Sequence, residues 1–577
     1  MYILGISCYY HDAAACLIHN GKIVAAAEEE RFTRKKHDIS FPINAIKFCL
    51  KKANITGDKL DHVAFYEKPL LKFERILSQH LEAFPKSYFT FIKTIPGWIN
   101  EKLRIRKTLK KQIGYKKDVS FIDHHLSHAA SSYLVSPFKE SAILTVDGVG
   151  EWATTTFGHA KENKVTIDKE IHFPHSLGLL YSTITAFLGF KVNNDEYKVM
   201  GLAPYGKPIY KDEIRKLITL HEDGSYSLDM SYFVFQWASK MPSRKMTQLF
   251  GPQRKPESEL TQKHKDIAAS LQKVTEESLF HMLNQLHKET KSDNLCMAGG
   301  VALNSVANGK IKANTPFKNV FIQPSASDAG TSLGAAFYLY NSVLDKPRTT
   351  VMDHAYLGPS FTDKEVKEYL DKNHVNYTTF KSDDDLIKTT AKLIWENNVI
   401  GWFQGCMEWG PRALGARSIL SNATNPDMKE IINAKVKHRE LFRPFAPAVT
   451  AEDAHKYFEL DKDDEKFMLF VYPIKKEFHD KIPAVTHVDG SGRLQTITSE
   501  QNKLYHGTIK EFGKHSGIPI VINTSFNIRG EPIVLTPHDA YRCMMGTGID
   551  YLVIGNFLVK RDDNPNDKWD SESLAKD

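Results

Sequence analysis

His124 and His128 stand four residues apart in Asp123-His124-His125-Leu126-Ser127-His128, and Asp147 closes the apolar run Ala142-Ile143-Leu144-Thr145-Val146. If residues 124–134 are helical, as their Ala, Leu and Tyr content predicts, both imidazoles project from one face and can share a cation. A carboxylate ending a buried strand is costly unless it meets a metal, a donor or a phosphate-bound ion. Two histidines and one carboxylate suit a divalent transition metal with coordination positions left open for substrate. The same histidine spacing occurs in helices that merely pack or cap, so the pair alone leaves both readings open.

Elements must position such a site. Short apolar runs at residues 2–7 and 13–18 are joined by Cys8-Tyr9-Tyr10-His11-Asp12, and Asn20-Gly21 signals a hairpin before a third strand, Lys22 to Glu28. The layout recurs at Ala142 to Val146, a polar loop Asp147 to Gly150, Trp152 to His159, a turn at Glu162-Asn163, and Lys164 to Ile167. This repeat predicts a duplicated α/β domain with a cleft between its halves, where His11 and Asp147 face one another across a ligand. Taken alone, His11 reads more simply as a structural residue.

A long helix over about 264–288 leads to a strand at Asn294 to Ala298 and the turn Gly299-Gly300-Val301-Ala302-Leu303-Asn304. Glycines between a strand and a helix let backbone amides approach a phosphate, although such pairs are also ordinary turns. A strand from Asn319 to Gln323 precedes a helix that Asp328 begins, either as N-cap or as a further ligand. Residues 195–206 read as a polar-to-glycine binding loop, and Glu28 to Asp38 as a surface loop or part of an acceptor pocket. The basic run Lys102 to Lys111 is most simply a solvated helix face; an acidic or polyanionic partner is the alternative.

Composition sets bounds. With 577 residues, net charge +7, 42% hydrophobic and 25% charged residues, the chain is of ordinary globular type with two to four domains. Six scattered cysteines without a Cys-x-x-Cys pair indicate neither a zinc ribbon nor a disulfide framework and fit a reducing, cytoplasmic setting. The chain opens into a strand-like run, so no targeting segment is expected, and no segment is long and apolar enough to span a membrane. The positive balance suits anionic small molecules and is too weak to indicate nucleic acid.

A boundary is expected around Lys346-Pro347-Arg348-Thr349-Thr350, dividing a domain 1–346 from a second α/β domain 351–577. In the latter a strand from Val399 to Phe403 enters the glycine-rich turn Gln404 to Ser418, which carries Arg412 and Arg417. Lys437-His438-Arg439, Arg443, Arg493 and the strand Ile518 to Ile522 with Asn523-Thr524-Ser525-Phe526-Asn527 follow. Guanidiniums bind phosphate through paired hydrogen bonds and lysine adds a compact charge, so these loop clusters fit two phosphorylated substrates.

The segments around His11, His124-x-x-x-His128, Asp147-Gly-Val-Gly, Gly299-Gly-Val-Ala-Leu-Asn304 and Ser327-Asp-Ala-Gly330 resemble, in order and over essentially the whole chain, the NodU/CmcH (TobZ-like) O-carbamoyltransferases. The resemblance implies a duplicated actin-like and heat-shock-ATPase-like first domain, related to the tRNA threonylcarbamoyl transferase, and a YrdC-like α/β second domain. It implies a metal, Fe²⁺ or another divalent transition ion, at His124, His128, Asp147 and Asp328, with His11 as the base for an acceptor hydroxyl. Gly148, Gly150, Gly299, Gly300 and Asn304 would hold the nucleotide or adenylate there.

In the second domain Lys437-x-Arg439 and Ser525-x-Asn527 resemble the YrdC elements. Arg412, Lys437, Arg439, Arg443 and Arg493 would hold the phosphates of carbamoyl phosphate and Mg²⁺-ATP, and Asn523, Ser525 and Asn527 the nucleotide or carbamoyl group. The implied chemistry forms carbamoyl-adenylate and transfers its carbamoyl group to a hydroxyl of a sugar or natural product, in an enzyme that the family suggests is a homodimer. The rival readings are a tRNA-modifying threonylcarbamoyl-type transferase, an actin-like small-molecule kinase and a non-catalytic scaffold.

Overall fold

The structure, a computed structural model, describes residues Met1 to Pro565. The chain forms two compact units, one of residues 1–29 with 37–352, the other of residues 30–36 with 353 onward.

The first unit is built on strands β1 (Tyr2–Ser7), β2 (Ala14–His19), β3 (Lys22–Glu28), β4 (His62–Phe65), β5 (Val119–Phe121), β6 (Glu140–Val146), β7 (Ala153–Lys161), β8 (Lys164–His172), β9 (Ile218–Leu220), β10 (Tyr226–Leu228), β11 (Asn294–Ala298) and β12 (Asn319–Phe321). Two five-stranded sheets have the same topology, β3-β2-β1-β4-β5 and β8-β7-β6-β11-β12, while β9 and β10 form a separate hairpin. In each sheet an antiparallel meander is extended by two parallel strands. This is the duplicated α/β architecture expected from the repeat, of the actin-like kind that the family resemblance implies. β1, β2 and β6 are buried almost throughout and read as near-continuous apolar runs, whereas β8 alternates exposed and shielded residues as a strand with one wet face does.

Helices His124–Tyr133 and Asp328–Phe337 pack together at the centre. Close approach depends on glycine: a Cβ on Gly334 would stand 1.8 Å from the Ser127 carbonyl oxygen, and one on Gly5 equally close to that of Ser332.

Several expectations change. Residues 195–206 are not a loop but the helix Glu196–Leu202 and the turn Ala203–Tyr205; its sequence hid a buried ion pair, Lys198 with Asp195 at 3.1 Å, that makes the polar stretch compatible with the interior. Ser327 takes the N-cap position, and Asp328 is the first helical residue. The strand expected over Asn319 to Gln323 ends at Phe321. Residues 347–350 pack on the first unit: Arg348 donates to the Phe138, Tyr133 and Ser136 carbonyls, and Thr350 to that of Gly21.

The second unit centres on a mixed eight-stranded sheet in the order Thr378–Thr379, Phe557–Lys560, Tyr551–Ile554, Ile400–Phe403, Arg417–Asn422, Ile520–Ser525, Ala446–Thr450, Gln495–Ile497. Its core includes Trp402, Leu420, Tyr505, Phe512 and Val553. Residues 30–36 belong to this unit. Phe32 packs on Met407, Ile533 and Leu535. Arg31 donates to the Gly410 carbonyl at 3.0 Å, and Arg34 to those of Ile533 and Pro532 at 2.6 and 2.7 Å. The charged stretch Glu28 to Asp38 is therefore no plain surface loop: its residues 30–36 form a strap that ties down two loops of the second unit, to which they belong.

Candidate functional site

His124 and His128 lie on the first turns of their helix, whose N-terminus receives the Glu151 carboxylate: the backbone N–H of His124 donates to both of its oxygens at 3.1 Å. An anion at that end complements the helix dipole and fixes the helix start beside the loop after β6. Gly150 allows the approach, since a Cβ there would reach within 3.0 Å of His124 Cβ. Asp147 is oriented by the Gly300 N–H, which donates to its Oδ1 at 2.9 Å. Gly299 makes that contact possible: its φ is +94°, and a Cβ would sit 2.2 Å from the Val146 carbonyl oxygen.

These elements bring together all four residues named from the sequence. His124 Nε2 lies 3.3 Å from Asp147 Oδ2 and 3.7 Å from Asp328 Oδ1; His128 Nε2 lies 3.9 and 3.4 Å from the same two atoms. Metal–ligand bonds of about 2.1 Å separate neighbouring ligands by roughly 3.0–3.5 Å and opposite ones by about 4.2 Å, so the spacing fits donors around one ion. All four are buried, and His128 Nδ1 and Nε2, His124 Nδ1 and Asp328 Oδ2 have no hydrogen-bond partner. Unsatisfied buried polar atoms are rare enough to need a cause, and a cation supplies one for Nε2 and the carboxylate.

Electrostatics point the same way. Burial disfavours charge on His124, but Asp328 and Asp147 outweigh it and push its pKa up to about 9. Burial also opposes charge on Asp147, yet the hydrogen bond from His124 and the charge of His128 hold it well below the usual carboxylate range. The two carboxylates that favour a proton on His124 would equally favour a metal cation beside it.

His11 sits in a second polar cluster with Asp12 and His37. Its Nδ1 meets Asp12 Oδ2 at 2.6 Å, and its Nε2 donates to the Asn193 carbonyl at 2.9 Å. His37 bridges the other Asp12 oxygen, at 2.7 Å, and Asn194 Oδ1, at 2.9 Å. Burial works against the charged form of His11, but Asp12 prevails and pushes its pKa up to about 10. In this conformation His11 is an imidazolium with both nitrogens engaged, not a ready base. Tyr9, Asp12, His37 and Asn193 all have positive φ, a concentration of backbone strain at one place. Tyr10 reaches the metal cluster's loop, its hydroxyl 3.7 Å from where a Gly148 Cβ would be, and burial together with Asp147 and Asp328 raises its pKa.

Asn304 is engaged internally. It caps the helix Ser305–Asn308 through Ala307 N–H and exchanges hydrogen bonds with Gln272 at 3.1 and 3.0 Å.

In the second unit Lys437, buried, donates to Asn527 Oδ1 at 2.9 Å, to Asn527 O at 3.0 Å and to the Ser525 carbonyl, while Ser525 Oγ donates to Asn527 Oδ1 at 2.6 Å. The two sequence elements therefore meet. Burial, reinforced by Arg439, Arg443 and the strap's Lys36, holds the Lys437 pKa well below the lysine range. Arg439 stacks over Phe445 at 4.5 Å and Arg443 pairs with Glu440 at 3.5 Å. Arg493 lies on the strand Ser491–Arg493, and Arg412 on the loop whose Gly410 carbonyl the strap grips. Asn523, 1% exposed, ties the Ala413 carbonyl to Gln495. Arg417 is structural: fully buried, it donates to the Gln404, Ala416, Gly405 and Pro359 carbonyls and lies over Phe403.

The sequence reading missed Asp12, His37, Asn194, Tyr10, Glu151 and the strap arginines. Tyr10 and Asp12 stand in the loop already singled out, and Arg31, Arg34 and His37 in the stretch Glu28 to Asp38, so local signals marked the stretches but not these residues.

A duplicated actin-like unit with a buried two-histidine, two-aspartate cluster, joined to an α/β unit with a buried lysine among arginines, defines the class. The family described as carbamoyltransferase N-terminus matches residues 2–337, and that described as carbamoyltransferase C-terminus matches residues 391–561. The chain belongs to the carbamoyltransferase family of NodU/CmcH type. It is 46% identical to an uncharacterized protein of Synechocystis, over 99% of both chains. It is 36% identical to the nodulation protein NolNO of Sinorhizobium fredii, over 98% of this chain and 81% of that protein, and 34% identical to nodulation protein U of Rhizobium fredii over 45% of this chain and 42% of that one. The activator of 2-hydroxyisocaproyl-CoA dehydratase from Clostridium difficile aligns with 60% of this chain and 96% of its own at 12% identity, with a TM-score of 0.31. Among the described residues no helix is long and apolar enough to cross a membrane.

Proposed function

We propose that this carbamoyltransferase is ATP-dependent, forms carbamoyl-adenylate in its second unit and passes the carbamoyl group to a hydroxyl of a sugar or natural product in its first. The observation that carries the reading is the buried set His124, His128, Asp147 and Asp328, four converging donors with unpartnered atoms in a chain of this family. In the second unit carbamoyl phosphate is hydrolysed to carbamate and phosphate. A carbamate oxygen then attacks the α-phosphorus of Mg²⁺-ATP and displaces pyrophosphate. Lys437 with Arg412, Arg439, Arg443 and Arg493 offsets the phosphate charge, and Ser525 and Asn527 place Lys437.

In the first unit the acceptor oxygen attacks the carbamoyl carbon, AMP departs with the bonding pair and a carbamate ester remains. His11 takes the hydroxyl proton once its Nε2 has left the Asn193 carbonyl and released its own proton to solvent, and Asp12 then stabilises the imidazolium that forms. A divalent transition metal, Fe²⁺ or a substitute, held by the four donors would supply Lewis acidity towards the adenylate. Gly148, Gly150, Gly299 and Gly300, which have no side chains to obstruct it, would line the place for its phosphate. Six free cysteines, five of them buried, support a reducing cytoplasmic setting.

The test needs no acceptor. Purified protein with ATP, Mg²⁺ and carbamoyl phosphate is expected to release pyrophosphate only when all three are present; ADP formation or no turnover would reject adenylate formation.

A further inference from the structure

Residues 68–117 hold 13 Lys or Arg and three Glu, a net charge of +10 in a chain whose total is +7. The same segment is the most apolar part of the surface. Of the sixteen large hydrophobic residues exposed among the described residues, eight lie between Leu70 and Ile99. They belong to the helices Pro69–Glu82 and Tyr88–Asn100 and the turn between them. Leu81, Phe84 and Phe89 are 74%, 68% and 77% exposed, and Phe84, Tyr88 and Phe89 follow one another around that turn.

The second helix is not loose. Its inner face is anchored by buried Trp98, whose ring meets Phe73 at 5.9 Å, and by Thr90, which donates to the Trp237 carbonyl at 2.8 Å. Its outer face carries Phe89, Ile92, Pro96 and Ile99, all exposed and spaced three or four residues apart, with exposed Lys93 beside them and Lys86 just before. Immediately after come the exposed Arg104, Arg106, Lys107, Lys110 and Lys111 of the basic turn and the helix Ile105–Ile113. That helix buries Ile105 and Leu109 and gives its charges to solvent; Arg106 meets the exposed Asp118 at 3.4 Å, and Lys107, Lys110 and Lys111 face outward for a partner.

We propose that this helix pair docks on an anionic lipid bilayer surface, its aromatic and aliphatic stripe entering the headgroup boundary while the following cations meet lipid phosphates. Apolar and aromatic residues on one helix face with lysines at its edge and a polybasic stretch adjoining is the composition of an in-plane interfacial helix, too short to span. A second copy fits less well, because a two-fold contact through this face would set two like-charged segments against each other. The inference is independent of the carbamoyl-adenylate chemistry, and such docking suits a transferase whose acceptor is presented at a lipid surface.

The test is co-sedimentation of the full chain with vesicles of phosphatidylcholine alone and of phosphatidylcholine with phosphatidylglycerol, at low and high salt. Binding to the anionic vesicles is expected to exceed that to neutral ones at least about tenfold and to weaken as salt shortens the range of the attraction. The double variant Phe84→Ser with Phe89→Ser is expected to lose about tenfold or more in binding, with its thermal midpoint and carbamoyl-phosphate-dependent pyrophosphate release unchanged. Absence of binding to anionic vesicles, equal binding to neutral ones, or full binding by the variant overturns the proposal. So does a wild-type dimer in sedimentation velocity that the same variant dissociates, which would assign the face to a second copy.

Discussion

The two candidate sites satisfy their polar groups in opposite ways. In the first unit His124, His128 and Asp328 keep buried atoms without partners, and their mutual spacing leaves a niche that something charged must fill. In the second unit Lys437 is already held by Ser525 and Asn527, and Arg439 and Arg443 rest on Phe445 and Glu440. On the proposed function the first site would hold an ion that stays, and the second would bind anions that come and go, so that its cations need partners between turnovers. Resident and transient ligands thus demand different amounts of internal satisfaction from the same kinds of residue.

Removing one metal donor should separate the units most sharply. His128→Ala is expected to lower carbamoyl transfer by on the order of 10²–10³-fold or more, with bound metal lost by elemental analysis. Carbamoyl-phosphate-dependent pyrophosphate release should survive, and equal loss of both activities would contradict a two-site enzyme.

The converse variant, Lys437→Met, should lower pyrophosphate release about 10²-fold while metal content stays at the wild-type level. Its buried acceptors on Ser525 and Asn527 lose their donor, so stability should also fall by about 1–3 kcal/mol, readable by denaturant titration.

A smaller effect is expected from Arg34→Ala, which frees the Pro532 and Ile533 carbonyls without touching a candidate ligand. About a tenfold rise in KM for carbamoyl phosphate, largely restored by Arg34→Lys, would identify the strap as a positioning element. A change in thermal midpoint alone would make it merely structural.

The smallest effect concerns pH. The His124 pKa of about 9 lies above the ordinary value of about 6.5, so in metal-free protein this group's stabilisation is complete below the latter and lost as pH rises through the former. Metal requires the unprotonated imidazole, so uptake should strengthen over the same interval. Thermal midpoints of metal-free and metal-loaded protein are therefore expected to diverge as pH rises from about 6.5 towards about 9.

Much of the first site was legible because its residues sit at places that local rules identify. A four-residue spacing puts two histidines on one helical face, strand ends expose the residue that follows, and a helix start after a strand locates Asp328. The repeat of two meanders made the duplicated sheet readable for the same reason, since alternation and turn signals are local. The His11 cluster was only half legible: Asp12 was in view, but His37 and Asn194 reach it from 25 and 182 residues away on either side of the network, and no periodicity announces such a meeting. Lys198 misled for a related reason, because a lysine reads as exposed until its Asp195 partner is seen inside.

The sequence by itself determined which residues have chemistry to offer and which short elements carry them, because side-chain type, helical spacing and strand alternation act over a few residues. That both nitrogens of His11 are engaged by Asp12 and Asn193, that Arg417 is a core residue rather than a phosphate ligand, and that residues 30–36 complete the second unit emerged only in three dimensions. Each of these depends on desolvation and on partners far along the chain. Burial and long-range pairing exist only once the chain has folded.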